Sequence, residues 1–232
     1  MTDAFRGQAV TGPERTPIAR VSQGALRRNA HVAASAGVDR YDSRLLRGDA
    51  WGHGVSAVSE VLRDAGFVRN DPEDDTHVPP SDDRVLDAVA VFGLTGAPLG
   101  TAPVMSLRGA VLATKTLRVG EGVSYGYLFR AAIDTRIALV TGGYAQGVVR
   151  SLGNAADVAL AGRRLPIIGR VAMDVCVVDI ADAEVQRGDE VVFFGDPARG
   201  EPSLTQWRDA TGFSEAELVT AVGLHANRRV VE

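Results

Sequence analysis

Lysine occurs once in this chain, at Lys115, and every other member of its 25 Lys+Arg is arginine. Arginine stays protonated in proteins and forms no Schiff base, whereas lysine can lose its proton and form one. Chemistry that needs a nucleophilic amine side chain therefore rests on Lys115 or is absent. The one cysteine, Cys176, excludes a disulfide framework and a cysteine-rich metal site, and no metal site is expected. Tyr125 lies within Gly122-Val123-Ser124-Tyr125-Gly126. A phenol with a pKa of about 10 is a base at neutral pH only beside a cation; the plain alternative is a turn tyrosine with a solvated hydroxyl. His53, between Gly52 and Gly54, is a hydrogen-bonding loop histidine or a proton carrier. Met173 and Cys176 fall on opposite faces of an apolar run and read as core. Lys115 alternates with its neighbours as an exposed strand lysine does. Arg47, after Leu45-Leu46, projects a snorkelling charge or pairs with Asp49.

These residues need elements to position them. At roughly 100–200 residues per domain, 232 residues make one large domain or two small ones. With 45% hydrophobic and 23% charged residues the chain can bury a core, and a net charge of −4 argues against a general nucleic-acid binder. The N-terminus has no apolar leader, and no stretch approaches about 20 apolar residues. A cytoplasmic protein that does not span a membrane is expected. Residues 1–16 are patternless and read as a disordered tail. Residues 17–69 open with the extended run Ile18–Val21, then a helix from Ser22 to about Ala36. Leu45-Leu46 reads as a brief strand, and a helix carrying Val55, Val58 and Leu62 follows, so this segment reads as an α/β unit. Residues 70–84, with Asn70–Asp83 carrying three prolines and six acidic residues, read as a solvated linker. Residues 85–102 hold one more apolar run, Val85–Leu94, and a Gly/Pro turn region.

From 103 to 232 the texture is mainly β. Met105–Leu117, Ile137–Val140, Val148–Arg150, Asp157–Leu160, Pro166–Val171, Asp174–Ile180 and Glu190–Phe194 predict short strands separated by glycine turns, a small β-barrel-like domain. Two short helices close it. Ser203…Gln206 and Ser214…Glu217 fit capping boxes, with Gly212 and Gly223 as stops.

Pro103-Val104-Met105-Ser106-Leu107, Gly122-Val123-Ser124-Tyr125-Gly126, Gly143-Tyr144-Ala145 and Gly169-Arg170-Val171-Ala172-Met173-Asp174 together resemble the C-terminal β-domain of alanine racemase. Ile18–Ala30 is similar to that family's opening strand and first helix. Leu45–Gly54 (LLRGDAWGHG) is similar to the segment carrying its cofactor lysine, and Val91–Leu94 resembles the stretch that ends its barrel. The resemblance implies pyridoxal phosphate as cofactor and the interconversion of L- and D-alanine as reaction. It implies two bases, a lysine and a tyrosine donated by the partner subunit, with Tyr125 at the tyrosine position. Met173 and Asp174 match substrate-lining positions, and Tyr144 matches a tyrosine at the site entrance. Gln146 stands where the family usually has Asp, and no tyrosine follows Tyr144 to contact a phosphate.

The lysine position is Arg47. A (β/α)₈ barrel takes about 250 residues, more than this chain has, so an α/β barrel remnant is expected ahead of the β-domain. These departures predict a racemase-like pseudoenzyme without independent activity. The alternative role is an interaction module, a homodimer or a heterodimer with a full-length racemase, that offers Tyr125 in trans.

Overall fold

The computed structural model describes residues 16–70, 84–124, 126 and 128–232. In chain order they form β1 (Ile18–Ser22), α1 (Gln23–Ser35), β2 (Arg40–Tyr41), the single turn α2 (Arg47–Trp51), α3 (Val55–Asp64), β3 (Val68–Arg69), α4 (Ala88–Phe92), β4 (Met105–Leu117), β5 (Gly122–Val123), β6 (Phe129–Arg130), β7 (Thr135–Thr141), β8 (Asp157–Leu160), β9 (Arg163–Ile168), β10 (Val175–Asp179), β11 (Glu190–Phe194), α5 (Thr205–Thr211), α6 (Glu215–His225) and β12 (Asn227–Val231). The 1–16 tail, apart from Thr16, and most of the 70–84 linker lie outside the described residues. The chain divides into two compact units.

The first unit, centred on residues 106–214, is a β-barrel. Strands run in the order β11-β8-β9-β10-β7-β4, and β11 pairs with β4 to close the ring. All these pairings are antiparallel, with Cys176 opposite Val140, Val158 opposite Leu165 and Val191 opposite Gly109. Closure removes the exposed edges that a sheet of short strands would otherwise offer to other chains. A register shift in β4 between Val111 and Ala113 bends that 13-residue strand so that it can serve both walls. Val158, Ile167, Val178, Val191 and Phe193 are inaccessible in the interior. Trp207 of α5 seals one end, edge-on to Phe194 at 5.1 Å. The sheet runs on from β4 to β1 and β12, which enter this unit at Ile18–Ala19 and Asn227.

The second unit is mostly helical and comprises residues 20–105, 215–224 and 228–232. The Ser22 side chain accepts the Ala25 N–H, capping α1 as its sequence predicts. Helices α3 and α4 pack on α1, burying Leu26, Ala30, Val58, Leu62, Val91 and Phe92. Asn29, fully buried in α1, donates to the Val91 and Ala102 carbonyls and accepts the Ala102 N–H. Those three bonds satisfy backbone groups that no ladder reaches.

Several local expectations are corrected. Leu45-Leu46 is no strand: Ser43–Leu46 is a 3₁₀ turn, because Asp42 caps the Arg44 N–H and grips the Arg44 guanidinium. The strand of the 17–69 segment is instead Arg40–Tyr41, which pairs in parallel with Val68–Arg69 across α3 as in an α/β unit. Val85 makes one bridge to Arg40, after which Asp87 caps α4 and Gly93, at φ +63°, ends it, so the 85–94 run is mainly helix rather than a barrel strand. Val148–Arg150 leads into a 3₁₀ turn over Arg150–Leu152. Gln206 accepts the Asp157 N–H instead of completing a capping box with Ser203. Gly223 is interior to α6, not its stop, and β12 is an unforeseen strand.

Candidate functional site

Three loops meet on the rim of the barrel. The first turn, Gly143–Gly147, follows β7; the second, Gly169–Asp174, precedes β10; the third joins β5 to β6. The first two are stitched backbone to backbone. Gly142 N–H donates to Asp174 O at 2.9 Å, Tyr144 N–H to Ala172 O at 3.0 Å and Ala145 N–H to Met173 O at 2.9 Å. Such approach requires glycine at 143, where a Cβ would lie 2.1 Å from Met173 O. Gln146, which sequence reading noted only as a departure from the family pattern, completes the stitch. Its Oε1 accepts the Gly143 N–H at 3.0 Å and its Nε2 donates to Asp174 Oδ1 at 2.9 Å. The one available signal was an amide side chain inside a glycine-bounded turn, buried with its donor and acceptor both used.

The stitch leaves Tyr144 and Met173 both exposed, at 44% and 55%, so Met173 is no core residue. The Arg150 guanidinium lies 6.0 Å from the Tyr144 ring centre, within cation–π range. Tyr125 lies outside the described residues. Ser124 before it has φ +67°, a region costly for a non-glycine residue, and its hydroxyl donates to Arg170 O at 2.6 Å. That bond ties the third loop to the second. Met173, Asp174 and Tyr144 are thus brought together, and the turn preceding Tyr125 is anchored to the loop that carries Met173.

Arg47 belongs to the other unit. It is exposed at the start of α2, whose residues Gly48, Asp49, Ala50 and Trp51 all have φ between +53° and +59°. Asp49 Oδ1 accepts the Val55 N–H at 2.8 Å and Oδ2 pairs with Arg228 at 2.6 Å. The Val55 bond above all, aided by Arg228 and opposed by desolvation, holds the Asp49 carboxyl below its ordinary value. His53 is fully buried, stacked on Phe92 at 4.0 Å and 6°, with Nδ1 against Ala50 O and Nε2 without a protein partner. Burial lowers its pKa to about 4, so it is a neutral core group and not a proton carrier at neutral pH. Lys115 lies in β4 opposite Ile137, and Cys176 is buried with its thiol pushed up by desolvation. Among the described residues no group of three or more His, Cys, Asp or Glu is placed to hold a metal ion. No helix described is long and apolar enough to cross a membrane.

Comparison with known proteins points one way. The alanine racemase of Mycobacterium leprae is 44% identical over 146 residues, 60% of this chain and 38% of that protein. The chain thus spans about two-fifths of the length of the curated relatives it matches. Among solved structures, the alanine racemase of Streptomyces coelicolor superposes with a TM-score of 0.81 at 18% identity, covering 93% of this chain and 98% of that one. The alanine racemase of Bartonella henselae, solved with covalently bound pyridoxal phosphate, gives 0.76 at 16% identity, covering 93% and 99%. At these identities the structures speak for the fold. The family profile for the C-terminal domain of alanine racemase matches residues 104–230, more than half of the sequence and all of the closed barrel, and on that match this chain belongs to the alanine racemase family.

Proposed function

We propose that this chain is a racemase-like protein that does not interconvert L- and D-alanine by itself, and that it serves as an interaction module pairing with a full-length racemase to which it offers Tyr125 in trans. The observation that carries this reading is a barrel rim whose described loops are stitched together, in a chain that has Arg47 where the resemblance of LLRGDAWGHG sets the family's lysine. A guanidinium cannot form the covalent bond to pyridoxal phosphate. The remaining lysine, Lys115, is held in a barrel strand, and a homodimer would supply no second amine at position 47. The residues present therefore do not fit the family's cofactor, and no step is assigned to it. The rim, by contrast, keeps Tyr144, Met173 and Asp174 on loops whose geometry is set by hydrogen bonds within the barrel unit.

Two measurements test the proposal. After incubation with pyridoxal phosphate, borohydride and dialysis, the purified chain is expected to retain no cofactor absorbance; a retained band would restore the enzyme reading. Native mass spectrometry of the chain mixed with a full-length alanine racemase is expected to show a mixed species. Two separate homo-species alone would overturn the pairing.

A further inference from the structure

The rim loops follow β7 and precede β10, whereas Arg136 opens β7 and the connection 180–189 leaves β10 for β11, at the opposite end of the barrel. That connection is pinned twice. Ile180 N–H donates to Arg136 O at 2.9 Å, and Arg136 Nη1 donates to Ala183 O at 3.1 Å. Further on, Gly188 N–H donates to Val111 O at 2.9 Å and Val111 N–H donates to Asp189 O at 3.0 Å. Asp189 Oδ2 also accepts the Gln186 N–H at 2.9 Å. Val185, between the two anchors, is buried.

An open cleft of about 380 Å³ is lined by Arg136, Glu184, Val185, Gln186 and Asp189. Its charges are opposite in sign and are not spent on one another. Among the described residues Arg136 uses one side-chain N–H, on Ala183 O, and Asp189 one carboxylate oxygen, on Gln186 N–H, while Glu184 has no hydrogen bond or ion pair. A guanidinium holds five N–H donors in a planar fork that suits a carboxylate, and a carboxylate oxygen accepts from an ammonium group. We infer that this cleft binds a small zwitterion, a free α-amino acid, with Arg136 taking its carboxylate and Glu184 and Asp189 its ammonium group. Because the flanking backbone is anchored to β4 and β7, the frame is set before the ligand arrives, which lowers the ordering cost of binding. A molecule with only one of the two charges engages only one side of the cleft.

A ligand this small binds an open cleft with a Kd of about 1 mM, within reach of a nuclear magnetic resonance titration. The full chain is titrated with L-alanine and, over the same concentrations, with acetate alone and with methylammonium alone. Saturable shifts of the Arg136 and 183–189 amides are expected with L-alanine, and neither single-charge probe should saturate in that range. E184Q alters an exposed side chain that has no partner among the described residues, so the fold is kept. It should weaken L-alanine binding about tenfold, the worth of one hydrogen bond to a charged group, and R136Q should weaken it at least as much. The inference is overturned by no saturable shift in that segment, by shifts confined to Tyr144–Gly147 at the rim, or by equal saturation with either single-charge probe. An E184Q titration that matches the unmodified chain overturns it as well.

Discussion

Gln146 spends both ends of its amide on other backbone and side-chain groups, and the two rim loops depend on it. Q146A leaves a buried Gly143 N–H without an acceptor, which costs about 1–3 kcal/mol. A lower urea midpoint with an unchanged slope is the expected result. Q146E keeps the acceptor but sets a carboxylate against Asp174, so its deficit should shrink on acidification. His53 makes a second residue-level prediction. Its pKa is lowered from 6.5 to about 4 in the folded state, so the unfolded chain binds the extra proton first. Stability is therefore full above the unfolded value and falls as pH drops from about 6.5 through 4, by about 3 kcal/mol in all. Asp42 and Asp49, held below 3.8 by their partners, lose their contributions only below that window. Urea unfolding at pH 8, 6 and 4.5 measures the slope, and a non-titrating residue at 53 should abolish most of it.

At the level of elements, α6 offers a test in which the sign is the result. Gly→Ala inside a helix ordinarily stabilises by about 0.5–1 kcal/mol. Gly223 lies inside α6, yet its Cβ would meet the Gly52 carbonyl. G223A should therefore destabilise, by about 1–3 kcal/mol as overpacking does; a raised melting temperature would contradict the backbone contact. The barrel strands illustrate the opposite case. Met105–Leu117, Asp157–Leu160 and Glu190–Phe194 appear with the bounds their alternation and flanking turns predict. A half-buried strand advertises its inward face every second residue. The Val85–Leu94 run carries no such alternation, and its helix depends on Asp87 at one end and Gly93 at the other.

For the whole molecule, the family reading and the departures from it act together. The barrel unit belongs to the alanine racemase C-terminal type, while the unit containing Arg47 offers no lysine. Y125F should accordingly leave the mixed species with a full-length racemase intact in native mass spectrometry while removing any turnover contributed by that species. Loss of the mixed species itself would assign Tyr125 to docking rather than to chemistry.

The motifs determined the family through the resemblance they carry, which sets Arg47 at that family's lysine position, while alternation, turns and capping residues determined the mainly β barrel, its two closing helices and the Ser22 cap. These are local properties or depend on residue identity alone. The adjacency of Tyr144, Met173 and Asp174 was implied by the resemblance, but Gln146 as their staple was not, because its partners lie 3 and 28 positions away in sequence. The left-handed turn at Gly48–Trp51, the Asp49–Arg228 pair across 179 positions, the seating of Gly223 on Gly52 and the strand β12 were decided by tertiary structure. Each exists only because segments distant in the chain pack closely enough to impose a backbone conformation that neither would adopt alone.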